Sequence, residues 1–151
     1  MAINERLLPI LKKSLNYTDD QFTEFINNPM TESIIDKAKE AANTVLVLTV
    51  VKSHGCNSQH RVGDRIYLDG TGNILTQYCP PKVCTYALNN ANLMIFAANE
   101  FIYAGLSPQD IKFKRCSCYD SGVSCGGFGQ IVLELSVMTR EDLDAMHNYI
   151  T

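Results

Sequence analysis

The sequence contains no long hydrophobic run. Its most apolar stretch is Val45–Val51, whereas a helix that spans a bilayer needs about 20 apolar residues. The amino terminus, Met1–Arg6, also lacks the basic segment, apolar core and small-residue cleavage site that are typical of a signal peptide. These absences predict that the protein has no membrane partner and that it is cytoplasmic.

The sequence also lacks an excess of basic residues. It has 13 Lys and Arg against 16 Asp and Glu, a net charge of −3 at pH 7, whereas nucleic-acid-binding domains usually carry a basic surface. We therefore expect no nucleic-acid partner. The charge is uneven, however, because residues 52–115 contain seven Lys or Arg and four Asp or Glu. This mildly basic middle would suit an anionic cluster or an anionic substrate.

Tryptophan is absent as well, but the chain is not poor in apolar residues. Hydrophobic residues make up 46% of the 151 positions and charged residues 19%, which is typical of a globular chain and excludes a disordered one. A chain of this length can bury a core without disulfide or metal staples. The six cysteines are then free for other roles, and in a reducing cytosol thiols, metal ligands or catalytic groups are commoner than disulfides.

The pattern of apolar residues predicts an α+β fold, in which a small, mostly antiparallel sheet packs on one long central helix. We expect residues 1–43 to form an N-terminal helical extension and residues 44–151 to form a cysteine-rich α+β domain, together one compact unit. Thr44–Val51 is β-branched and continuous, as in a strand buried on both faces. Thr85–Ala104 predicts the central helix, which Gly105 ends.

The sequence also predicts further strands and a helix cap. Arg65–Asp69 and the residues at 74–75 flank a glycine turn and predict a hairpin. Residues 111–116 alternate and predict a strand with its basic side chains on one face, and Gln130–Val137 predicts the last strand. Thr31 is predicted to cap the third helix of the extension.

The cysteines are placed in a way that packing alone does not explain. All six lie in or beside polar, Gly-rich or Pro-rich loops, and a thiolate at the beginning of the central helix would gain from unpaired N–H groups and the helix dipole. We therefore predict a thiolate-rich site at the mouth of this helix. The cysteines fall into three groups: Cys56 with His60, Cys79 with Cys84, and Cys116 with Cys118 and Cys125.

These spacings match neither a zinc ribbon nor the closely spaced ferredoxin motif, so they leave three chemistries open. Thiolates with nearby backbone N–H donors are typical of an iron–sulfur cluster. A closed Cys3His set of Cys56, His60, Cys84 and Cys118 would instead suit zinc. A thiol enzyme would use Cys84 as the nucleophile and His60 as its base.

The cysteine loops resemble an uncharacterised family of small prokaryotic proteins, found mainly in anaerobes. The resemblance covers residues 45–137, and it depends on a Gly-Cys loop, a Gly-His-x-Val-Gly-Asp motif, a Cys-Pro-x-Ala helix start and a Cys-Pro-Asp sequence before the last strand. The matching motifs here are Gly55-Cys56-x3-His60-x-Val62-Gly63-Asp64, Cys84-x2-Ala87 and Cys116-x-Cys118-x-Asp120.

The resemblance implies that Cys56, Cys84 and Cys118 form a common site, accompanied by His60 and Asp120. It implies no activity. The chain departs from the family pattern with Gln59 in place of Gly and with Thr85 and Tyr119 in place of Pro, and it has the additional thiols Cys79, Cys116 and Cys125.

Our preferred hypothesis is a metalloprotein that binds an iron–sulfur cluster, of the 4Fe-4S type, through Cys56, Cys84 and Cys118. The fourth ligand would be His60, Cys116 or Cys125, while Cys79 is predicted to have no role and Asp120 to bond its own loop or to support the site. Such a cluster would serve a Lewis-acid, sulfur-transfer or redox role on a small molecule.

The alternatives are a zinc-stapled, non-enzymatic accessory subunit that docks a protein partner through its N-terminal helices, and the thiol enzyme. A homo-oligomer is also expected, since the apolar faces of these helices exceed what a small sheet covers.

Overall fold

The structure, a computed structural model, describes residues 7–148. Over these residues the chain forms five α-helices and an antiparallel sheet of four strands, so the predicted α+β class is confirmed. The helices are α1 (Leu8–Ser14), α2 (Asp19–Asn27), α3 (Thr31–Asn43), α4 (Thr85–Tyr103) and α5 (Arg140–Asn148). The strands are β1 (Thr44–His54), β2 (Arg65–Asp69), β3 (Arg115–Ser117) and β4 (Gln130–Thr139).

The sheet has the strand order β2-β1-β4-β3, which places the apolar β1 in its interior. β1 and β4 pair along almost their whole lengths, from Thr44 opposite Thr139 to His54 opposite Gln130. Leu46 and Leu48 pack in the core beneath α4, whereas Val47 lies on the other face with Leu143 of α5. β1 is therefore buried on both faces, as its unbroken apolar sequence predicts.

Helix α4 lies against one face of the sheet because its inward positions are small or apolar. Ala87, Ala91 and Ala98 are fully buried and let the helix axis approach the strands closely. At its carboxyl end Gly105 adopts a positive φ of 72°, and Leu106 N–H donates to the Phe101 carbonyl over 2.8 Å, which ends the helix as predicted. Within residues 7–148, neither α4 nor any other helix combines the length and apolarity needed to cross a bilayer.

The N-terminal helices are joined to the sheet through α3. Ile35 and Ala41 of α3 are buried, and the Ala41 carbonyl accepts a hydrogen bond from Gly70 N–H over 3.2 Å. Thr31, which the sequence predicts as the cap of this helix, is instead its first residue, and Met30 occupies the cap position. The Thr31 side chain is buried and packs inward rather than capping the helix.

Of the predicted strands, the one at residues 111–116 is shorter in the structure and the one at residues 74–75 is absent. Only Arg115–Ser117 pairs with β4, because the segment before it does not keep the alternation of a strand: Ile111 is buried whereas Phe113, on the same predicted face, is 84% exposed. Ile74 forms one isolated bridge with Leu68 instead of a hairpin strand. The chain turns there into a short 3-10 helix at Thr76–Tyr78, so the pairing cannot continue. β4 is longer than predicted and runs to Thr139.

Candidate functional site

The structure brings Cys56, Cys84 and Cys118 together around one cavity of about 380 Å³ at the amino-terminal end of α4. We call this the cysteine cavity. Cys56 follows β1, Cys84 is the residue before α4, and Cys118 follows β3. Three segments that are distant in the sequence therefore contribute one thiol each.

Close backbone packing holds the first and third of these segments together. Gly55 has a positive φ of 63°, and a Cβ on it would lie 2.6 Å from the Phe128 carbonyl oxygen. A Cβ on Gly129 would lie 2.1 Å from the His54 carbonyl oxygen. Since only glycine permits contacts this short, these two residues explain why the Cys56 loop and the loop after Cys118 share a wall of the cavity.

Cys84 is the thiol whose surroundings most favour the anion. Burial raises the pKa of Cys84, and the charge of Asp120 raises it further, but hydrogen bonds from the Ser58 side chain and from the backbone N–H groups of Ala87 and Tyr86 lower it by more. The net pKa lies below the ordinary value. The two N–H groups belong to the first turn of α4, where N–H donors favour a nearby anion. Ala87 N–H also donates to the Cys84 carbonyl over 3.1 Å.

Cys118 is held by the sheet. Its backbone N–H donates to the Ile131 carbonyl over 3.0 Å, and its Sγ accepts the Ile131 N–H over 3.4 Å. The residue is 8% exposed, so this sulfur is fixed in position at the inner wall of the cavity. Cys56 is half-buried and packs against the same apolar core.

The carboxylate of Asp120 lines the cysteine cavity but binds the backbone of its own loop. Its Oδ1 accepts Gly122 N–H over 2.8 Å and its Oδ2 accepts Phe128 N–H over 3.1 Å. These hydrogen bonds hold the pKa of Asp120 below its usual range, against a smaller opposing effect of burial. A Cβ on Gly127 would overlap Oδ1. Asp120 therefore shapes the loop that carries Phe128 and Gly129.

His60 does not share the cysteine cavity. It lines a neighbouring cavity of about 370 Å³, and Ser58 lines both. The imidazole is almost fully buried, with its Nδ1 3.5 Å from Oδ2 of Asp64. Its Nε2 is buried and has no hydrogen-bond partner among the described residues. The predicted Cys3His set is thus divided between two adjacent cavities.

The other three cysteines lie outside the cysteine cavity. Cys79 accepts Tyr67 N–H over 3.3 Å and donates to the Leu75 carbonyl over 3.3 Å, and burial raises its pKa, so it is a structural thiol. Burial, with the neighbouring Cys118, also raises the pKa of Cys116, which packs against the core. Cys125 is exposed. None of the six cysteines forms a disulfide.

Two features of the site have no signal in the sequence. Ser58 contacts Cys84 because the loop after β1 folds back over the start of α4, and no motif spacing specifies that contact. The rings of Tyr86 and Tyr119 lie beside each other at 6.2 Å between centroids, and Tyr119 N–H donates to the Tyr86 carbonyl over 3.1 Å. Each follows a site cysteine closely, Tyr86 in the first turn of α4 after Cys84 and Tyr119 in the loop after Cys118, but aromatic residues in such places are too common to be diagnostic.

The structure does not assemble a site for one metal ion. Across residues 7–148, no group of three or more His, Cys, Asp or Glu side chains is close enough together to hold a single ion. The family resemblance carried by the cysteine loops stays a prediction. Comparisons of the chain with models of protein families, with curated proteins and with solved structures found no match.

Proposed function

We propose that the protein is a cytoplasmic metalloprotein that holds an iron–sulfur cluster, of the 4Fe-4S type, in the cysteine cavity. The observation that carries the proposal is that Cys56, Cys84 and Cys118, from three separate segments, line one cavity. The cavity contains no other cysteine in its lining. Three thiols at one place, with the remaining thiols elsewhere, are more than core packing requires.

The donor set fits such a cluster. Thiolates are the usual ligands of iron–sulfur clusters, and N–H groups that donate to the sulfurs stabilise the bound form. Cys84 receives such donors from Tyr86 and Ala87, and Cys118 receives one from Ile131. Two of the three sulfurs therefore already have the backbone hydrogen bonds that a thiolate ligand uses.

The lining of the cysteine cavity fits a closed zinc site poorly. A structural zinc site is closed by four ligands, and His60, the predicted partner of the three cysteines, lines the adjacent cavity instead. The cysteine cavity itself offers three thiols, and thiolates are the usual ligands of an iron–sulfur cluster.

None of the three predicted fourth ligands lines the cysteine cavity. His60 lies in the adjacent cavity, Cys116 packs in the core and Cys125 is exposed. Coordination by three cysteines alone is the arrangement that these positions support. A cluster held in this way would supply Lewis-acid or sulfur-transfer chemistry to a small molecule, while Asp120 and Ser58 position the loops around it.

A second candidate function is favoured by the environment of Cys84. A cysteine with a lowered pKa at a helix amino terminus is the usual form of a thiol nucleophile. Here the side chain that contacts it is Ser58, and His60 makes no hydrogen bond through Nε2. A thiol enzyme built on this site would therefore use a thiolate stabilised by Ser58 and α4 rather than a Cys–His pair.

Anaerobic purification separates these functions. A cluster gives a brown protein with broad absorbance near about 400 nm, together with iron and acid-labile sulfide. Colourless protein with stoichiometric zinc contradicts the proposal and favours the zinc-stapled accessory subunit. Colourless, metal-free protein in which Cys84 alkylates far faster than Cys125 supports the thiol enzyme instead.

A further inference from the structure

The outward face of α4 carries a row of exposed apolar side chains. Tyr86, Leu93 and Phe96 are 61%, 75% and 59% exposed, although the solvent-facing side of a helix is usually charged or polar. No residue from 85 to 99 is charged. An exposed surface that is depleted in charge and enriched in aromatic side chains is typical of a protein–protein interface.

The residues of this face have the spacing of a coiled-coil seam. They follow one another at alternating intervals of three and four positions, which is the heptad pattern of a helix that packs along a second helix. They are Tyr86, Asn89, Leu93, Phe96, Glu100 and Tyr103, and we call them the α4 seam. Tyr103 is half-buried and the other five are exposed. The spacing therefore indicates that the partner surface is a helix.

Glu100 decides the direction in which a second seam can lie. It is the one charged residue of α4, and among residues 7–148 it takes part in no ion pair. A parallel copy of the seam would place this carboxylate against its own counterpart, and like charges repel across an interface. An antiparallel copy places Asn89 opposite Glu100 instead, so that the amide donates a hydrogen bond to the carboxylate.

The apolar positions of the seam also match in the antiparallel arrangement. The pairs are symmetric about the midpoint of the seam, between residues 94 and 95, so Leu93 lies opposite Phe96 and Tyr86 lies opposite Tyr103. Each pair is then either apolar on both sides or joined by a hydrogen bond. The α4 seam is therefore complementary to a copy of itself.

We propose that the protein forms a two-fold symmetric dimer in which the α4 seams of two copies pack antiparallel. The partner is a second copy because the seam supplies both members of every pair, as an isologous interface requires. The dimer does not depend on the proposed function. Tyr86 also lines the cysteine cavity, so Tyr103 of the second copy packs against a residue of that lining; that it shields a cluster from water rests on the proposed function.

Sedimentation equilibrium of the anaerobically purified protein tests the dimer. Anaerobic conditions keep the exposed Cys125 from cross-linking two copies through a disulfide. Because the seam is short and includes two polar positions, we expect a reversible dimer with a Kd of about 1–100 μM. A protein that stays monomeric up to about 1 mM overturns the proposal. The assay measures association and not iron content, so the failure of this proposal and the failure of the proposed function are seen separately.

Matched alanine variants locate the interface. Leu93→Ala is expected to raise the Kd of the dimer roughly tenfold or more, because two-fold symmetry removes the side chain from both copies. Ile10→Ala truncates an aliphatic side chain of α1 that is also exposed, and it should leave the Kd unchanged. If Ile10→Ala weakens the dimer and Leu93→Ala does not, the N-terminal helices form the interface and the proposal is wrong.

The fold of Leu93→Ala is checked where the protein is monomeric. Well below the Kd the seam is open to solvent, so the variant should there have nearly the same free energy of unfolding as the wild type. Its weaker association at higher concentration then concerns the interface alone. If the variant is instead misfolded, the charge variants of the seam decide.

Asn89→Lys tests the antiparallel direction. It places an ammonium opposite Glu100 of the second copy, and since symmetry makes this pair twice, we expect the Kd to fall roughly three- to tenfold. Within one helix the two positions are about three turns apart, so they do not interact there. In a parallel dimer the same variant would place two ammonium groups together and raise the Kd, which would contradict the proposal.

Asn27→Lys controls for the net charge of −3. Asn27 is an exposed residue of α2, so this variant adds the same charge outside the α4 seam and should leave the Kd unchanged. Tighter association in Asn27→Lys, equal to that in Asn89→Lys, would mean that reduced repulsion between whole molecules is the cause, and would overturn the assigned pairing of Asn89 with Glu100.

Discussion

The backbone N–H of Ile131 in β4 donates a hydrogen bond to the Sγ of Cys118 over 3.4 Å. Because β4 pairs with β1 along almost its whole length, this sulfur is hydrogen-bonded to the two central strands of the sheet. Cys84 is fixed in a different way, by the first turn of α4. The cysteine cavity thus lies between a sheet and a helix end, and only Cys56 depends on a loop for its position.

Ser58→Ala is expected to raise the pKa of Cys84 in metal-free protein, because the hydrogen bond from Ser58 favours the thiolate. The measurement is the rate of iodoacetamide alkylation of Cys84 as a function of pH, followed by mass spectrometry of the peptide. The midpoint of the profile should move to higher pH. Ser124→Ala, which removes a hydroxyl 3.9 Å from the Cys125 sulfur, should leave it in place, and an unchanged profile in Ser58→Ala contradicts the contact.

Gly129→Ala is expected to destabilise the fold by about 3 kcal/mol, because the added Cβ would overlap the backbone of the Cys56 loop. Urea unfolding gives the free energy of unfolding. Gly63→Ala is the matched control: Gly63 has a positive φ of 97° but open space around it, so the loss should be about 1 kcal/mol. A loss in Gly129→Ala no larger than that in Gly63→Ala would contradict the close approach of the two loops at Gly129.

Leu143→Ala tests the burial of β1 on its second face. Leu143 is fully buried against Val45 and Val47, so truncation should lower the free energy of unfolding by about 2–5 kcal/mol. Leu93→Ala removes the same atoms from a side chain that is 75% exposed, and should change stability by about 0.5 kcal/mol or less. If Leu143→Ala is as mild as the control, α5 does not cover this face of the sheet.

Asp69→Asn is expected to destabilise the turn after β2 in a pH-dependent way. Burial raises the pKa of Asp69, but hydrogen bonds from Thr71 and Asn73 lower it by more. Since the folded-state pKa is depressed, the ionised group adds stability that is fully present above the unfolded pKa of about 3.8 and is lost as the pH falls through the folded value.

The measurement for Asp69→Asn is urea unfolding at pH 7 and pH 3. The wild type should be more stable than the variant at pH 7, and the difference should shrink at pH 3. Asp36→Asn, an exposed carboxylate of α3, should show a smaller difference at both values. A difference between wild type and Asp69→Asn that does not change with pH would mean that the charge of Asp69 is not what stabilises the turn.

Features with strong local signals could be predicted from the sequence. The unbroken β-branched sequence of β1 predicts burial on both faces, and Gly105 predicts the end of α4, because each depends on nearby residues alone. The segment 111–114 could not be predicted as irregular, since the exposure of Phe113 depends on where the chain meets β4. The residue type of Thr31 predicts a helix cap, but tertiary packing buries this residue inside the first turn of α3.

In the candidate site, too, some features could be predicted from the sequence and others could not. The convergence of Cys56, Cys84 and Cys118 follows from loops that all flank the start of α4, which the order of elements indicates. The separation of His60 from them could not be predicted, because the four-residue spacing from Cys56 does not specify how the loop turns. Gln59 adopts a positive φ of 63°, and this turn, together with Asp64 at 3.5 Å from Nδ1, holds the imidazole in a buried position outside the cysteine cavity.

The most direct test of a cluster in the cysteine cavity is the iron and acid-labile sulfide content of matched Cys→Ser variants after anaerobic purification. We predict that the wild type and Cys125→Ser contain iron and sulfide in equal amounts with absorbance near about 400 nm, and that Cys56→Ser, Cys84→Ser and Cys118→Ser each lose most of both while remaining folded. If Cys84→Ser retains as much iron and sulfide as Cys125→Ser, the cluster does not lie in the cysteine cavity. Wild-type protein without iron and sulfide would also contradict the proposal.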